Sequence, residues 1–145
     1  MHGLLRWMKI GRKRGIQTAM KHKILVVDDE HAVADTLCLI FKKRGFDCRA
    51  VYTGDSAIAS ADEFCPELLL CDISMPGMSG LQVVAEVTSK CPGCRVLLLT
   101  GHYTNLGYAQ AWAMSHPAPS RIMTKPVPPA LLLEAAGALL QSCQL

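Results

Sequence analysis

Four positions in this chain combine the functional groups of phosphoryl chemistry with a common setting. Asp28, Asp29 and Glu30 follow the apolar run 24–27, Asp72 follows 68–71, Thr100 follows 96–99, and Lys125 follows 121–124. Carboxylates brought together repel, by about 1 kcal/mol for two charges 4 Å apart in water and about 4 kcal/mol at an effective dielectric of 20. If the fold gathers Asp28, Asp29 and Asp72, they require a cation or a shared proton. Lys125 offers one positive charge. A hard divalent ion held by carboxylates, a carbonyl and waters is the natural second partner, and Mg²⁺ suits such an open site. An aspartate in that setting is a phosphoryl acceptor: Asp72 attacks, the ion and Lys125 neutralise the phosphoryl oxygens, and Thr100 donates a hydrogen bond. Singly, each residue reads as a turn residue or helix cap. Their recurrence at four run ends, in order, carries the functional reading.

The elements that must position them follow from periodicity. Runs 24–27, 68–71 and 96–99 are continuously apolar, as in strands covered on both faces of a parallel sheet. Weaker strand candidates are 48–52 and 121–124. Helical spacing places Val33, Leu37, Ile40 and Phe41 on one face of 31–44, which Gly45 terminates. It places Ala57, Ile58 and Ala61 on one face of 54–64, which stops before Pro66. Leu81, Val84, Ala85 and Thr88 share a face of 80–90. Residues 104–115 form a fourth helix, and 129–142 a fifth, with Leu132, Leu133, Ala136, Leu139 and Leu140. The alternation predicts an α/β fold with a parallel sheet and right-handed crossovers. In such sheets ligands bind beyond the carboxyl ends of the strands, where strand order reverses. An order 2-1-3-4-5 makes strands one and three neighbours there and brings Asp28, Asp29 and Asp72 together.

The chain's 145 residues suit one domain, and at this size roughly two thirds of the unfolded surface can be buried without a disulfide or metal staple. No stretch of 18 apolar residues is present, so membrane insertion is not expected. Seven cysteines at irregular spacing, with no secretory pattern, indicate a reducing, cytoplasmic setting. The net charge of +3 is uneven. Residues 1–20 carry Arg6, Lys9, Arg12, Lys13 and Arg14 and no acid, so the remainder is slightly acidic. Direct nucleic-acid binding by the body of the protein is therefore not expected. Residues 1–20 read as a basic, disordered leader, and 21–145 as the domain; Leu4, Leu5, Trp7, Met8 and Ile10 leave open a short membrane-surface helix in the leader.

Residues 23–141 resemble a response-regulator receiver domain of two-component signalling. The matching segments are 24–30 (Ile-Leu-Val-Val-Asp-Asp-Glu), 69–80 (Leu-Leu-Cys-Asp-Ile-Ser-Met-Pro-Gly-Met-Ser-Gly), 98–101 (Leu-Leu-Thr-Gly) and 124–126 (Thr-Lys-Pro). The resemblance implies a flavodoxin-like, doubly wound (βα)5 fold. It implies that Asp72 is the phosphoacceptor, Thr100 the switch hydroxyl and Lys125 the paired lysine. It assigns Mg²⁺ to Asp28, Asp29, Asp72 and the Ser74 carbonyl, with Asp29 a direct ligand and Asp28 acting largely through water. The Lys125-Pro126 bond is expected to be cis. The implied partners are a sensor histidine kinase or phosphotransfer protein and an unidentified downstream protein.

Two departures bear on output. Ile122 stands where the family often has a rotating aromatic, three residues before the lysine. The Thr100–Lys125 interval is somewhat long, with His116-Pro117-Ala118-Pro119 the place for the extra turn. Only residues 143–145 follow the last helix, so a stand-alone receiver without an output domain, switching a protein surface or acting in a phosphorelay, is expected rather than an enzyme. A Mg²⁺-dependent phosphohydrolase with Asp72 as nucleophile is the alternative; Ser74 stands where such an enzyme of the haloacid-dehalogenase type has its general acid. A phosphate-independent interaction module is a third reading.

The remaining candidates have plain readings. Cys91-Pro92-Gly93-Cys94 has redox or zinc spacing but joins a helix to a strand, the reverse of a thioredoxin-type motif, and reads as a surface turn. Cys38, Cys48, Cys65 and Cys71 read as small core residues. His102 reads as a loop histidine near the pocket mouth. Tyr108 and Trp112, four apart on a helix, are compatible with core packing or with an exposed partner anchor.

Overall fold

The computed structural model describes residues 21–101, 103–116 and 119–141. The leader, His102 and residues 142–145 lie outside them. Strands β1 (Lys23–Val27), β2 (Asp47–Val51), β3 (Leu68–Asp72), β4 (Arg95–Thr100) and β5 (Ser120–Thr124) alternate with helices α1 (His31–Lys43), α2 (Gly54–Phe64), α3 (Gly80–Lys90), α4 (Tyr103–Ser115) and α5 (Pro129–Gln141). All strand pairs are parallel and the order is β2-β1-β3-β4-β5, as expected.

The continuous apolar runs are explained by helices on both faces. Leu25, Val27, Leu69, Cys71, Val96 and Leu98 point to one side and pack with Ala57, Ala61 and Phe64 of α2, Val83, Val84 and Val87 of α3, and Ala109 of α4. Their neighbours Ile24, Val26, Leu68, Leu70, Leu97 and Leu99 point the other way, against Ala34, Cys38 and Phe41 of α1 and Leu132, Ala135, Ala136 and Leu139 of α5. Period-two alternation thus divides each run between two cores. Local signals set the helix starts. Thr53 caps α2 by accepting the Ser56 N–H, and Ser79 and Gln82 form a reciprocal capping box on α3.

Two helix faces differ from expectation. In α1 the buried residues are Ala34, Cys38 and Phe41, while Val33, Leu37 and Ile40 are only partly buried. In α3 Val83, Val84 and Val87 are buried and Ala85 is exposed. Both helices have apolar stripes wider than the face the sheet covers, so the opposing surface selects which part of each stripe is buried. Cys65 is exposed, a correction to its core reading: it caps α2 in the left-handed region, φ 47°, where the chain leaves the helix. Cys91–Cys94 do form a turn, with Cys94 N–H donating to the Cys91 carbonyl, but both thiols are buried beneath it rather than at the surface. Tyr108 and Trp112 part company. Trp112 packs against the core and stacks on His116 at 3.8 Å, whereas Tyr108 is 72% exposed.

Candidate functional site

The order reversal at β1 and β3 opens a crevice at their carboxyl ends. Val27 pairs with Cys71, so the residues that follow, Asp28 and Asp72, are adjacent. Both are buried, at 1% and 5% exposure. Asp29 is partly exposed at the mouth. One carboxylate oxygen from each of Asp28, Asp29 and Asp72 lies within 4.8 Å of the others.

Lys125 closes this cluster from the far side of the sheet. Its Nζ donates to Asp28 Oδ2 at 3.0 Å and to Asp72 Oδ2 at 3.1 Å. The remaining oxygens are also held. Asp28 Oδ1 accepts the Glu30 N–H at 3.0 Å, and Asp72 Oδ1 accepts the Ser74 N–H at 3.2 Å. The Asp28 N–H is itself tied to the Val51 carbonyl of β2. Lys125 reaches the site because its own N–H donates to the Thr100 carbonyl, extending the β4–β5 ladder, before a cis bond to Pro126 turns the chain away.

Charge and burial oppose each other here. Burial drives the Asp72 carboxyl above the ordinary carboxylate range; Lys125 pulls it down but does not overcome the burial and the neighbouring Asp28 charge. Burial pulls Lys125 down, and its bonds to Asp28 and Asp72 more than offset this, so its ammonium is held above the usual range. Three carboxylates share one lysine, leaving an excess of negative charge that a hard cation would complement. The oxygen-only donors and their spacing fit Mg²⁺.

Of the expected residues, Asp28, Asp29, Asp72, Ser74 and Lys125 are brought together. Thr100 ends β4 at the same edge and is fully buried. By strand alternation it shares the face of Val96 and Leu98, the face on which Ile122, Trp112 and α4 pack.

Two features escaped the sequence reading. Gly80, at the start of α3, donates its N–H to the Ile73 carbonyl and lies so close to β3 that a Cβ would run into the Asp72 carbonyl oxygen and come within 2.6 Å of Ile73 Cα. The capping pattern Ser79-x-x-Gln82 was a signal for this helix start. Beside the site lies a groove of about 530 Å³ lined by Ile73, Ser74, Met75, Pro76, Leu81 and Tyr108. Its lining joins a loop and two helices, so no local pattern announces it.

A parallel 2-1-3-4-5 sheet with an acidic cluster and a lysine at its switch point defines the receiver class. Residues 24–137 match the family model of the response regulator receiver domain, and the chain belongs to that family, the receivers of two-component signalling. A crystal structure of a CheY-like receiver domain protein from Methanospirillum hungatei JF-1 is similar with a TM-score of 0.78 and 26% identity, over 86% of this chain and 97% of that one. The receiver domain of NtrX from Brucella abortus is similar with a TM-score of 0.73 and 29% identity, over 81% and 98%. Among curated proteins, a probable transcriptional regulatory protein, TcrX of Mycobacterium tuberculosis, is 39% identical over 77 residues, 53% of this chain and 33% of that protein. The DNA-binding response regulator MtrA of Mycolicibacterium smegmatis is 35% identical over 81 residues, 56% of this chain and 35% of that protein. The chain spans about a third of the length of these curated relatives. Receiver domains are signalling modules. Among the described residues no helix is long and apolar enough to cross a membrane.

Proposed function

We propose that Asp72 accepts a phosphoryl group from a phosphohistidine on a sensor kinase or phosphotransfer protein, and that the acylphosphate changes the surface this domain presents to a downstream protein. The observation that carries this reading is the Lys125 ammonium bridging Asp28 and Asp72 at 3.0 and 3.1 Å, beside a partly exposed Asp29. An Asp72 carboxylate oxygen forms the bond to phosphorus. The P–N bond to the donor histidine breaks, and the imidazole leaves with the electron pair and takes a proton. Lys125 and the Ser74 N–H hold the carboxylate in place. A carboxylate accepts about four hydrogen bonds, so these two leave it room to react. Asp29, Asp72 and the Ser74 carbonyl, with Asp28 beside them, would hold Mg²⁺, which would supply neutralisation of phosphoryl charge.

Ser74 offers Asp72 a backbone N–H where a haloacid-dehalogenase-type hydrolase places a second acid, which favours the acceptor over the hydrolase reading. Incubation of the full chain with acetyl phosphate and Mg²⁺, followed by intact-mass measurement, tests the proposal. One added phosphoryl group, lost on treatment with hydroxylamine, is expected; no gain would overturn it.

Lys125→Met removes the only side-chain cation bonded to the cluster among the described residues. Two buried carboxylates then face each other uncompensated. A divalent ion should bind about tenfold more tightly or better, since one charge at this range is worth about 1–4 kcal/mol. Melting temperature measured against Mg²⁺ concentration should therefore rise more steeply in the variant than in the wild type, even though its phosphoryl uptake or output fails.

The switch should be partial. Thr100 and Lys125 move toward the new phosphoryl charge, and the segment after Thr100 follows. Ile122, partly buried against the same core as Trp112, is smaller than the aromatic that the family often has there and lacks a hydroxyl. Losing a ring's burial removes about 1 kcal/mol or more of the roughly 5.5 kcal/mol that a full 1:99 to 99:1 swing requires. Hydrogen exchange with and without beryllofluoride should show its largest changes in residues 101–122, with a change in tryptophan fluorescence. Changes confined to residues 31–64 would contradict this output route.

A further inference from the structure

Two cysteines that the phosphoryl site does not use meet at the opposite end of the sheet. Cys65 ends α2 and Cys91 ends α3. Both are drawn to one acceptor: the Cys65 N–H donates to the Ala61 carbonyl at 3.1 Å, and the Cys91 thiol donates to the same oxygen at 3.5 Å. The Cys65 thiol lies near enough to Cys91 to push the Cys91 thiol pKa up. They differ in access, for Cys65 is exposed and Cys91 is 3% exposed. Cys65 also takes the left-handed cap conformation that glycine adopts most easily. The chain thus places a reactive side chain where a helix usually ends on a bare backbone.

We propose that Cys65 and Cys91 form a hydroperoxide-driven disulfide that ties the C-terminal ends of α2 and α3 together. The Cys65 thiolate attacks the peroxide: an S–O bond forms, the O–O bond breaks, and the departing oxygen leaves with the electron pair and takes a proton. Sulfur is oxidised to a sulfenic acid and the peroxide is reduced. The Cys91 sulfur then attacks the Cys65 sulfur, its proton passes to the hydroxyl, and water leaves. Two thiols and one hydroperoxide become one disulfide, one water and the peroxide's alcohol, or a second water where the oxidant is hydrogen peroxide.

The division of roles follows from access. An oxidant reaches Cys65 directly. Burial, and then the adjacent Cys65 thiol, push the Cys91 thiol up to about 12, so it is the resolving partner rather than the first nucleophile. Cys94 is buried with its thiol donating to the Arg95 carbonyl at 3.3 Å. Cys38 and Cys48 are both buried. Neither arrangement offers a first site of attack.

The reduced full chain is treated with hydrogen peroxide, quenched with N-ethylmaleimide and mapped by mass spectrometry without reduction. Fragmentation separates Cys91 from Cys94, which share the peptide between Lys90 and Arg95. The expected product is a monomer lighter by two hydrogens, linked Cys65–Cys91 and restored by dithiothreitol. Cys65→Ser should abolish the link and Cys94→Ala should retain it. Sulfinic acid on Cys65 with Cys91 still open to alkylation after denaturation would overturn the proposal. So would a link to Cys94 or to a second chain; the wild-type fragmentation assigns the partner even if a variant fails to fold.

Discussion

Asp72→Asn should take up no phosphoryl group under conditions in which the wild type is fully modified, and it should melt no lower than the wild type. The loss is complete because the amide oxygen is a far weaker nucleophile than a carboxylate and cannot give a stable acylphosphate. The fold survives because asparagine has the same shape. It leaves Lys125 bonded to Asp28 at 3.0 Å and can still accept the Ser74 N–H. It also removes one of two buried carboxylates that share a single lysine. Two such charges about 4 Å apart repel by about 1–4 kcal/mol, part of which Lys125 offsets. Intact mass after acetyl phosphate treatment checks the first half, and thermal melting without Mg²⁺ the second. An undiminished mass gain would move the acceptor elsewhere. A large fall in melting temperature would mean that the Asp72 charge holds the loop as well as the phosphoryl group.

Gly80→Ala should be the most damaging methyl group that can be added near the site. In an open helix position alanine is favoured over glycine by about 1 kcal/mol, so propensity alone predicts stabilisation. Packing reverses the sign. The new Cβ would overlap the Asp72 carbonyl oxygen, with the Asp72 carbonyl carbon at 2.9 Å. All of these are backbone atoms of β3 and its exit, so no flexible side chain can yield. Overpacking of this kind costs about 1–3 kcal/mol. The forced shift also acts on Asp72 itself. A misplacement of about 1 Å costs on the order of 100-fold in rate, so phosphorylation from acetyl phosphate should slow by that order even in molecules that remain folded. Gly137→Ala in α5 is the internal control. Its Cβ would meet nothing within 4 Å, so it should be neutral or stabilise by up to about 1 kcal/mol. Denaturant melts and initial phosphorylation rates of the two variants separate backbone crowding from helix propensity.

What could be read from the chain was whatever repeats over a few residues. Three uninterrupted apolar runs at 24–27, 68–71 and 96–99 are strands buried on both faces, because helices cover both sides of a parallel sheet. The polar residues after these runs and after 121–124 lie at the carboxyl ends of the strands, so Asp28, Asp72 and Lys125 could be named before any distance was known. Local signals also located all five helices to within a residue or two of their ends.

Tertiary structure decided what depends on a neighbour distant in sequence. Lys125 meets Asp28 across 97 residues, and only the β4–β5 ladder and the turn beyond it fix that reach. A helical stripe of apolar residues has a width, and the opposing surface chooses its centre; hence Ala34 and Cys38 rather than Val33 and Leu37 are buried in α1. Spacing of four put Tyr108 and Trp112 on one side of α4, yet one is exposed over a groove and the other packs on the core, because the sheet beneath covers only part of that side. The two thiols of Cys91-Pro92-Gly93-Cys94 turn inward, and Cys65 turns out, for the same kind of reason. A turn sequence specifies backbone reversal, but which way its side chains face is set by the ends of α2, α3 and β4 that converge there.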